Sequence, residues 1–476
     1  MFNYDIIANR GENMLSKQLC IKVMNEALKT GADYAEIFEE DKFATSISAT
    51  DGVVDKINSG FTYGIGIRLY QGLVSVYSST NDNSEEGLIK TVQTLASNFK
   101  GAQTVFVKEL NSDNYENINK IEKFPRDYSI NYKKAIMKRA SDAAFAYDKV
   151  ISKTSVYYLD EDQKVLIANS KGQYNTDQRV RTRISISSIA TDGDKMENGY
   201  QAPGASMGME FYDQIKVEEI AQEASKIAKT MLYADECPSG TMDVVINNGF
   251  GGVIFHEACG HGLEATSVAK NQSVFANKLN QKIASDVVTA IDDGTIPNAW
   301  GSLNIDDEGH RTQKNVLIEN GVLKGYMIDN FNARRMKMVS SGSGRRQSYH
   351  LEPTSRMTNT YIANGKSTFE EIIAATKFGL FAAKLGGGSV NPTTGEFNFA
   401  VIEGYMIRDG KIAEPVKGAS LVGNGADTLM NIDMVGNNLL RSQGMCGSIS
   451  GSIPVDVGQP TIRVKNMIVG GRGGNL

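Results

Sequence analysis

Hydrophobic positions in the first half of the chain follow two alternating periods. In "LSKQLCIKVMNEALKTG", Leu15, Leu19, Val23 and Ala27 recur on one helical face, and Gly31 follows as a stop. Residues 34–79 are rich in β-branched and aromatic side chains and are punctuated by Asp51-Gly52 and further glycines, which predicts a meander of strands. Asn83 then stands as the cap of a helix carrying Leu88, Val92 and Leu95, with Glu86 three places on as its capping-box partner. The order recurs: a helix over 132–147, strands through 154–193, and a helix with Val217, Ile220, Ala224, Ile227 and Met231. Strands that follow one another without intervening helices favour antiparallel pairing.

Beyond residue 235 the pattern changes. Glycine and short β runs dominate, as in "NVLIENGVLKGYMIDN", "FNFAVIEGYMIRDGKIAEPVKGASLVG" and "PTIRVKNMIVGG", with Asn320-Gly321 and Asp409-Gly410 as hairpin turns. The expected fold class is α+β. A helix and antiparallel-sheet domain occupies 1–235, its element order repeating at about 1–110 and 111–235. A mostly β domain occupies 236–476, with a motif helix and another helix near 368–377 inserted. The chain's 476 residues exceed one ordinary core, in keeping with more than one domain.

Composition narrows the partners. A chain that is 41% hydrophobic and 22% charged can build cores, which argues against wholesale disorder. The net charge of -5 leaves no basic footprint, so direct nucleic-acid binding is not expected. No apolar run reaches transmembrane length, so no membrane partner is expected. The stretch "MFNYDIIANRGENMLSKQL" lacks a continuous apolar signal core. Four cysteines in so long a chain form no disulfide framework, and a cytoplasmic location is expected.

Chemistry enters with "GFGGVIFHEACGHGLEA". Of four histidines, two lie five positions apart here. The familiar zinc-hydrolase pattern is H-E-x-x-H, but His256-Glu257 is followed by three residues before His261. On an ideal helix, positions i and i+5 lie about 140° apart, against about 40° for i and i+4. Both imidazoles reach one ion only if the backbone loosens, as in a π-bulge or a frayed last turn. Gly260 and Gly262 flank His261 and tolerate such distortion. Glu257 has the chemistry of a general base. A catalytic zinc takes three protein ligands and keeps one position open. Candidates for the third ligand are Glu264, Cys259, His310, His350 and Cys446, and spacing does not choose among them. On the bland reading, Glu257 is a surface carboxylate, the histidines are hydrogen-bonded core residues and Cys446 is a small buried hydrophobe.

Two more stretches have paired readings. "LGGGSV", 385–390, lets a peptide backbone approach an edge strand or forms a tight turn. In "GSGRRQSY", Arg345 and Arg346 bind a substrate carboxylate, or form a solvated pair or a salt bridge to Asp306 or Asp307.

"HEACGHGLEA" is followed in order by "AIDDGT", "NIDDEGHRTQKNVLIENGVLKGYM", "GSGRRQSY", "RMTNTY", "LGGGSV", "PVKGASLVGNG", "MVGN" and "GMCGSISGSIPVDVGQPTIRV". This ordered set resembles the TldD/PmbA family over essentially all of 243–471, in its TldD-like, motif-bearing form. The resemblance implies a zinc metallopeptidase with His256, His261 and Cys446 as Zn2+ ligands and Glu257 as base. It implies a homodimer or a heterodimer with a PmbA/TldE-like chain, enclosing a cavity in which peptides or unfolded polypeptide segments are cleaved. The family's older label, modulator of DNA gyrase, implies indirect effects. Competing readings are a non-catalytic partner or scaffold of such a complex, and a zinc amidase acting on a small molecule.

Overall fold

The structure, a computed structural model, describes residues 14–391 and 394–475. Most of the N-terminal stretch read above for a signal core therefore lies outside the described residues. The first half runs α1 (Lys17–Leu28), β1 (Tyr34–Thr50), β2 (Val53–Gln71), β3 (Val74–Thr80) and α2 (Glu85–Ala96). It then repeats as α3 (Ile130–Tyr147), β4 (Ile151–Asn169), β5 (Gln173–Asp192), β6 (Lys195–Gln201) and α4 (Val217–Leu232). Ser16 caps α1 by accepting from the Leu19 N–H at 3.2 Å, and the helix buries Cys20, Val23, Met24, Ala27 and Leu28. At α2 the cap is Ser84, not Asn83: its Oγ accepts from Gly87 N at 3.1 Å, while Asp82 holds the Ser84 N–H at 2.9 Å. That one-residue shift leaves Glu86 short of the position a capping box requires. A capping box does form between Thr368 and Glu371, opening the helix Phe369–Ala374.

The two helix–meander–helix units share one antiparallel sheet of order β3-β2-β1-β4-β5-β6, joined where β1 runs beside β4 from Glu36↔Asn169 to Thr50↔Ser155. One face packs on the helices, with Ala35 and Ile37 against α1 and α2, and Ile47 and Tyr158 against α3 and α4. The other face carries Glu36, Phe38 and Glu40, and all three are buried. The C-terminal half covers them. Ile305 packs with Phe38, Val165 and Ile167. Beside this contact Arg68 pairs with Glu36 at 2.8 Å and with Glu308, and Arg346 donates to Glu36 at 2.8 Å. Asp307 accepts from Arg179 at 2.5 Å and from the Arg346 backbone N–H at 2.7 Å. A buried charge needs such a partner, because removing one member strands the other in a medium that solvates it poorly.

The main C-terminal strands are β7 (Gly240–Ile246), β8 (Ala290–Asp293), β9 (Lys314–Glu319), β10 (Asn359–Ile362), β11 (Phe378–Val390), β12 (Glu396–Arg408), β13 (Ser420–Asn424), β14 (Leu440–Ser448), β15 (Gly451–Gln459) and β16 (Ile462–Gly470). Pairing runs β11–β7–β16–β13–β12 and returns to β11, so these strands close on themselves around the largest core. A second sheet orders β9-β8-β10-β15-β14 and leaves β14 at its edge. Asp51-Gly52, Asn320-Gly321 and Asp409-Gly410 all have positive φ at both residues, the mirror-image hairpin geometry their composition announces. Among the described residues no helix is long and apolar enough to cross a membrane.

Candidate metal centre

Leaving β7, the chain enters a 3-10 turn at Gly249–Gly252, one α-helical turn at Val253–Phe255, a π-helix at His256–Gly260 and a 3-10 turn at His261–Leu263. The His261 N–H bonds to the His256 carbonyl, the i→i+5 bond of a π-turn. That bond resolves the spacing problem by stacking His261 one wide turn beyond His256, with ring centroids 5.2 Å apart and planes at 83°. The glycines serve a different end from backbone freedom. Gly260 has ordinary helical angles, φ -56 and ψ -50, but a Cβ there would lie 2.4 Å from Met357 Sδ. At Gly262 a Cβ would lie 2.8 Å from the Phe275 ring. Ile254, Phe255 and Leu263 anchor the segment in the largest core. Burying each contributes about 1.5–3 kcal/mol, which outweighs about 1 kcal/mol for each interior glycine.

Cys446 arrives from far along the chain, near the tip of the β14–β15 hairpin, where it pairs with Ile453. Its Sγ lies 3.4 Å from His261 Nε2. One ligand atom each from His256, His261 and Cys446 fall within 4.8 Å of one another. Tetrahedral zinc, with nitrogen at 2.0–2.1 Å and sulfur at about 2.3 Å, sets N and S about 3.5 Å apart. Nδ1 of His256 is buried without a hydrogen-bond partner. Two imidazoles and a thiol with one orphaned nitrogen therefore suit a metal ion. Burial by itself would push the Cys446 thiol up, but His256 and then His261 hold it down at about 3, so it is a thiolate, the form that binds metal. Burial opposes charge on His261 too, yet Glu264 and Cys446 carry it well above the ordinary imidazole range. The negative charges that favour a proton there also favour a cation among the three groups.

Glu257 Oε2 sits 3.6 Å from His261 Nε2, with its side chain 31% exposed, so it stands at the rim of the group and open to solvent. Glu264 lies on the other side of the ring, its Oε2 3.1 Å from Nδ1. A carboxylate that accepts the Nδ1 proton leaves Nε2 free for a cation, the usual outer partner of a ligating histidine. Fully buried Arg356 donates to Ser450 Oγ and the Gly451 carbonyl, each at 2.9 Å, and to the Cys446 carbonyl. Its Nε is 3.9 Å from Glu264, so one guanidinium links the carboxylate behind His261 to the hairpin bearing Cys446. Sequence reasoning assigned Arg356 no role; its place inside "RMTNTY" was the available signal. The other third-ligand candidates lie apart from this group. Burial pushes the Cys259 thiol up, and its Sγ faces the Gly425 carbonyl at 3.7 Å. His310 Nε2 is 2.8 Å from Asn330 Oδ1, and His350 stands edge-on to Tyr349.

The glycine run at 385–390 is extended strand within β11, not a tight turn. Leu385, Gly386 and Gly387 line a cavity of about 670 Å³ between the two halves, together with Tyr200 and Met445. Both arginines of "GSGRRQSY" are buried rather than solvated. Arg346 joins Glu36 and contacts Asp307 through its backbone N–H and the Asp307 carbonyl. The Arg345 side chain makes a single hydrogen bond among the described residues, to the Met357 carbonyl at 2.6 Å. The Asp306 carboxylate instead accepts the backbone N–H groups of Glu308, His310 and Gly344.

Sequence profiles of the PmbA/TldA metallopeptidases match in order along the chain: domain 1 at 35–99, the central domain at 123–232 and the C-terminal domain at 239–471. The chain belongs to the PmbA/TldD metallopeptidase family. It is 34% identical over 472 residues to a metalloprotease TldD homologue of Buchnera aphidicola subsp. Acyrthosiphon pisum, covering 96% of this chain and 97% of that one. Identity to the TldD homologue of Haemophilus influenzae is 34% over 474 residues, with 96% and 97% covered. A zinc metalloprotease TldD homologue of Saccharolobus solfataricus is 26% identical, with 94% and 99% covered. Among solved structures, a modulator of DNA gyrase from Thermotoga maritima shares the fold with a TM-score of 0.80 at 21% identity, covering 95% of this chain and 99% of that one. TldE from Thermococcus kodakarensis matches with a TM-score of 0.73 at 19% identity, covering 95% and 99%. Family membership makes this protein a peptidase whose chemistry uses a metal ion.

Proposed function

We propose that the protein is a zinc-dependent metallopeptidase that cleaves peptides or unfolded polypeptide segments, with His256, His261 and Cys446 holding Zn2+ and Glu257 as general base. The observation that carries this reading is the convergence of three ligand atoms within 4.8 Å, with the Glu257 carboxylate 3.6 Å from His261 Nε2. Zinc on such a site supplies Lewis acidity, which lowers the pKa of water from 15.7 to about 7 and polarises a carbonyl. Two neutral imidazoles and one thiolate leave the ion a formal charge of about +1, the value in two-histidine, one-carboxylate hydrolases. Glu257, about a third exposed beside the ligands, takes a proton from the attacking water and returns it to the leaving amine. Glu264 holds the His261 ring through Nδ1, and Arg356 holds the Cys446 hairpin.

The cavity beside the edge strand β14 supports an extended peptide as substrate, because unpaired strand edges and glycine-lined walls admit a backbone. The zinc assignment draws on the Saccharolobus relative's name as well as on the donor set. We assign 1–235 to the helix and sheet domain and 236–476 to the metallopeptidase domain. Pairing as a homodimer or with a PmbA/TldE-like chain, and a cytoplasmic location, complete the proposal; four free cysteines among the described residues support the latter. The test is Glu257→Gln: zinc content stays at the wild-type level while cleavage of an unfolded protein falls by about 10²–10⁴-fold. A variant that binds zinc and cleaves at the wild-type rate refutes Glu257 as base. A wild-type chain that turns over small amides but no peptide redirects the reading to an amidase.

A further inference from the structure

A cavity of about 140 Å³ lies on the seam between the halves, bounded by the sheet on one side and by Met445 and Pro454 of the Cys446 hairpin on the other. Its wall is strongly cationic: Lys42, Arg179, Arg181, Arg345 and Arg346 line it, against two carboxylates, Glu161 and Asp307. Four of the five cations are accounted for. Lys42 has Glu40 at 3.3 Å, Arg179 has Asp177 and Asp307, Arg181 has Glu161 at 3.2 Å, and Arg346 has Glu36 at 2.8 Å. Arg345 is the remainder. It is 2% exposed, forms no ion pair within 4.0 Å among the described residues, and uses one donor of its guanidinium, on the Met357 carbonyl. Burial, and then the neighbouring Arg181, push it down to about 9, yet it stays charged at neutral pH.

An unpaired buried guanidinium is costly, and Arg does not relieve the cost by losing its proton. A group of opposite charge delivered from outside does relieve it. A carboxylate or phosphate is small enough for this cavity, since one water occupies about 30 Å³ of liquid. The planar donor fork of arginine matches either oxyanion. Met445 lines both this cavity and the large cleft beside β14, so the two spaces are neighbours.

We propose that Arg345 and the cationic wall around it form a binding site for a small oxyanion, filled by a carboxylate of a bound peptide or by free phosphate. The site itself follows from charge and burial; only its use by a peptide rests on the peptidase reading. Two arms separate the sources. In the first, which needs no turnover, thermal unfolding of the full chain is measured in phosphate and in chloride at equal ionic strength. Phosphate raises Tm of the wild type, and Arg345→Met removes that rise while Arg345→Lys keeps part of it. In the second, the wild type is given paired peptides ending in a free carboxylate or in an amide. The carboxylate form shows a KM at least tenfold lower, and phosphate competes with it but not with the amide form. A response in the first arm alone assigns the site to free phosphate; a response in the second assigns it to the peptide. Unfolding indifferent to phosphate together with equal KM values for the two peptides overturns the proposal, as does a phosphate effect of equal size in Arg345→Met. Loss of all cleavage with the phosphate effect on unfolding retained refutes the peptidase reading and leaves the oxyanion site standing.

Discussion

The Glu36–Arg68–Arg346 cluster pairs its carboxylate and guanidinium charges within the chain, whereas the His256–His261–Cys446 group gathers three side chains that can ligate a metal. In the cluster, Glu36 meets two guanidiniums, and Asp307 meets Arg179 and a backbone N–H. In the histidine–cysteine group, Nδ1 of His256 is left without a hydrogen-bond partner, and Glu264 and Cys446 favour positive charge at His261. A structural cluster gains from pairing each buried charge, whereas a site that binds an ion must leave donor capacity unspent. Buried charges paired within the chain favour architecture, and those without an opposite charge of the chain favour a ligand. Arg345 has no carboxylate partner within 4.0 Å among the described residues, beside Arg179, Arg181 and Arg346, which do.

The comparison breaks most sharply at Cys446. Cys446→Ala is expected to lose its metal to a chelator that leaves the wild type loaded, and to lose cleavage with it, while urea unfolding of the ion-free chain changes little. Metal analysis and peptide cleavage measure the first, and equal metal retention would remove Cys446 from the ligand set. The structural cluster responds the other way. Arg346→Met takes one of the two guanidiniums from Glu36, leaving Arg68 in place, and is expected to destabilise the fold by about 1.5–3 kcal/mol, read from urea denaturation, without altering metal stoichiometry.

Acid sharpens the same contrast. Burial would raise Glu36 and Asp307, but Arg68 and Arg346 hold Glu36, and Arg179 and Arg346 hold Asp307, below the usual carboxylate range. Their folded values lie below the unfolded ones, so the stabilisation is complete above about pH 5 and is lost as pH falls through the unfolded and then the native values. The stability difference between wild type and Arg346→Met should therefore shrink between pH 5 and pH 2; a constant difference would show that these carboxylates do not carry it.

Smaller effects come from the supports of the ligand group. Glu264→Ala is expected to weaken metal affinity by about 10–100-fold through His261, measured by competition with a chromophoric chelator. Gly260→Ala drives a methyl group into Met357 and should cost about 1–3 kcal/mol, since overpacking a filled core forces neighbours off their rotamers. If Gly260→Ala folds with wild-type stability, Met357 yields freely and the glycine has no packing role.

What the sequence determined by itself was local. The antiparallel meanders, the positive-φ turns at Asp51-Gly52, Asn320-Gly321 and Asp409-Gly410, and the loosened turn demanded by the His256–His261 spacing all follow from residues a few places apart. Backbone hydrogen bonds and side-chain periodicity act over that range, so their outcome is written in the order of residues. Tertiary structure alone decided the rest. Glu264 and Cys446 were equal candidates by spacing, and only packing put Cys446 Sγ at Nε2 of His261 and Glu264 behind Nδ1. The family resemblance had selected the cysteine; no local rule did, because 185 residues separate it from His261. The same holds for Gly260, whose reason is the Met357 side chain, and for Glu36, whose burial depends on arginines beyond its own strand. A contact between distant residues depends on how whole sheets dock, and that sum over many weak interactions is absent from any short stretch of sequence.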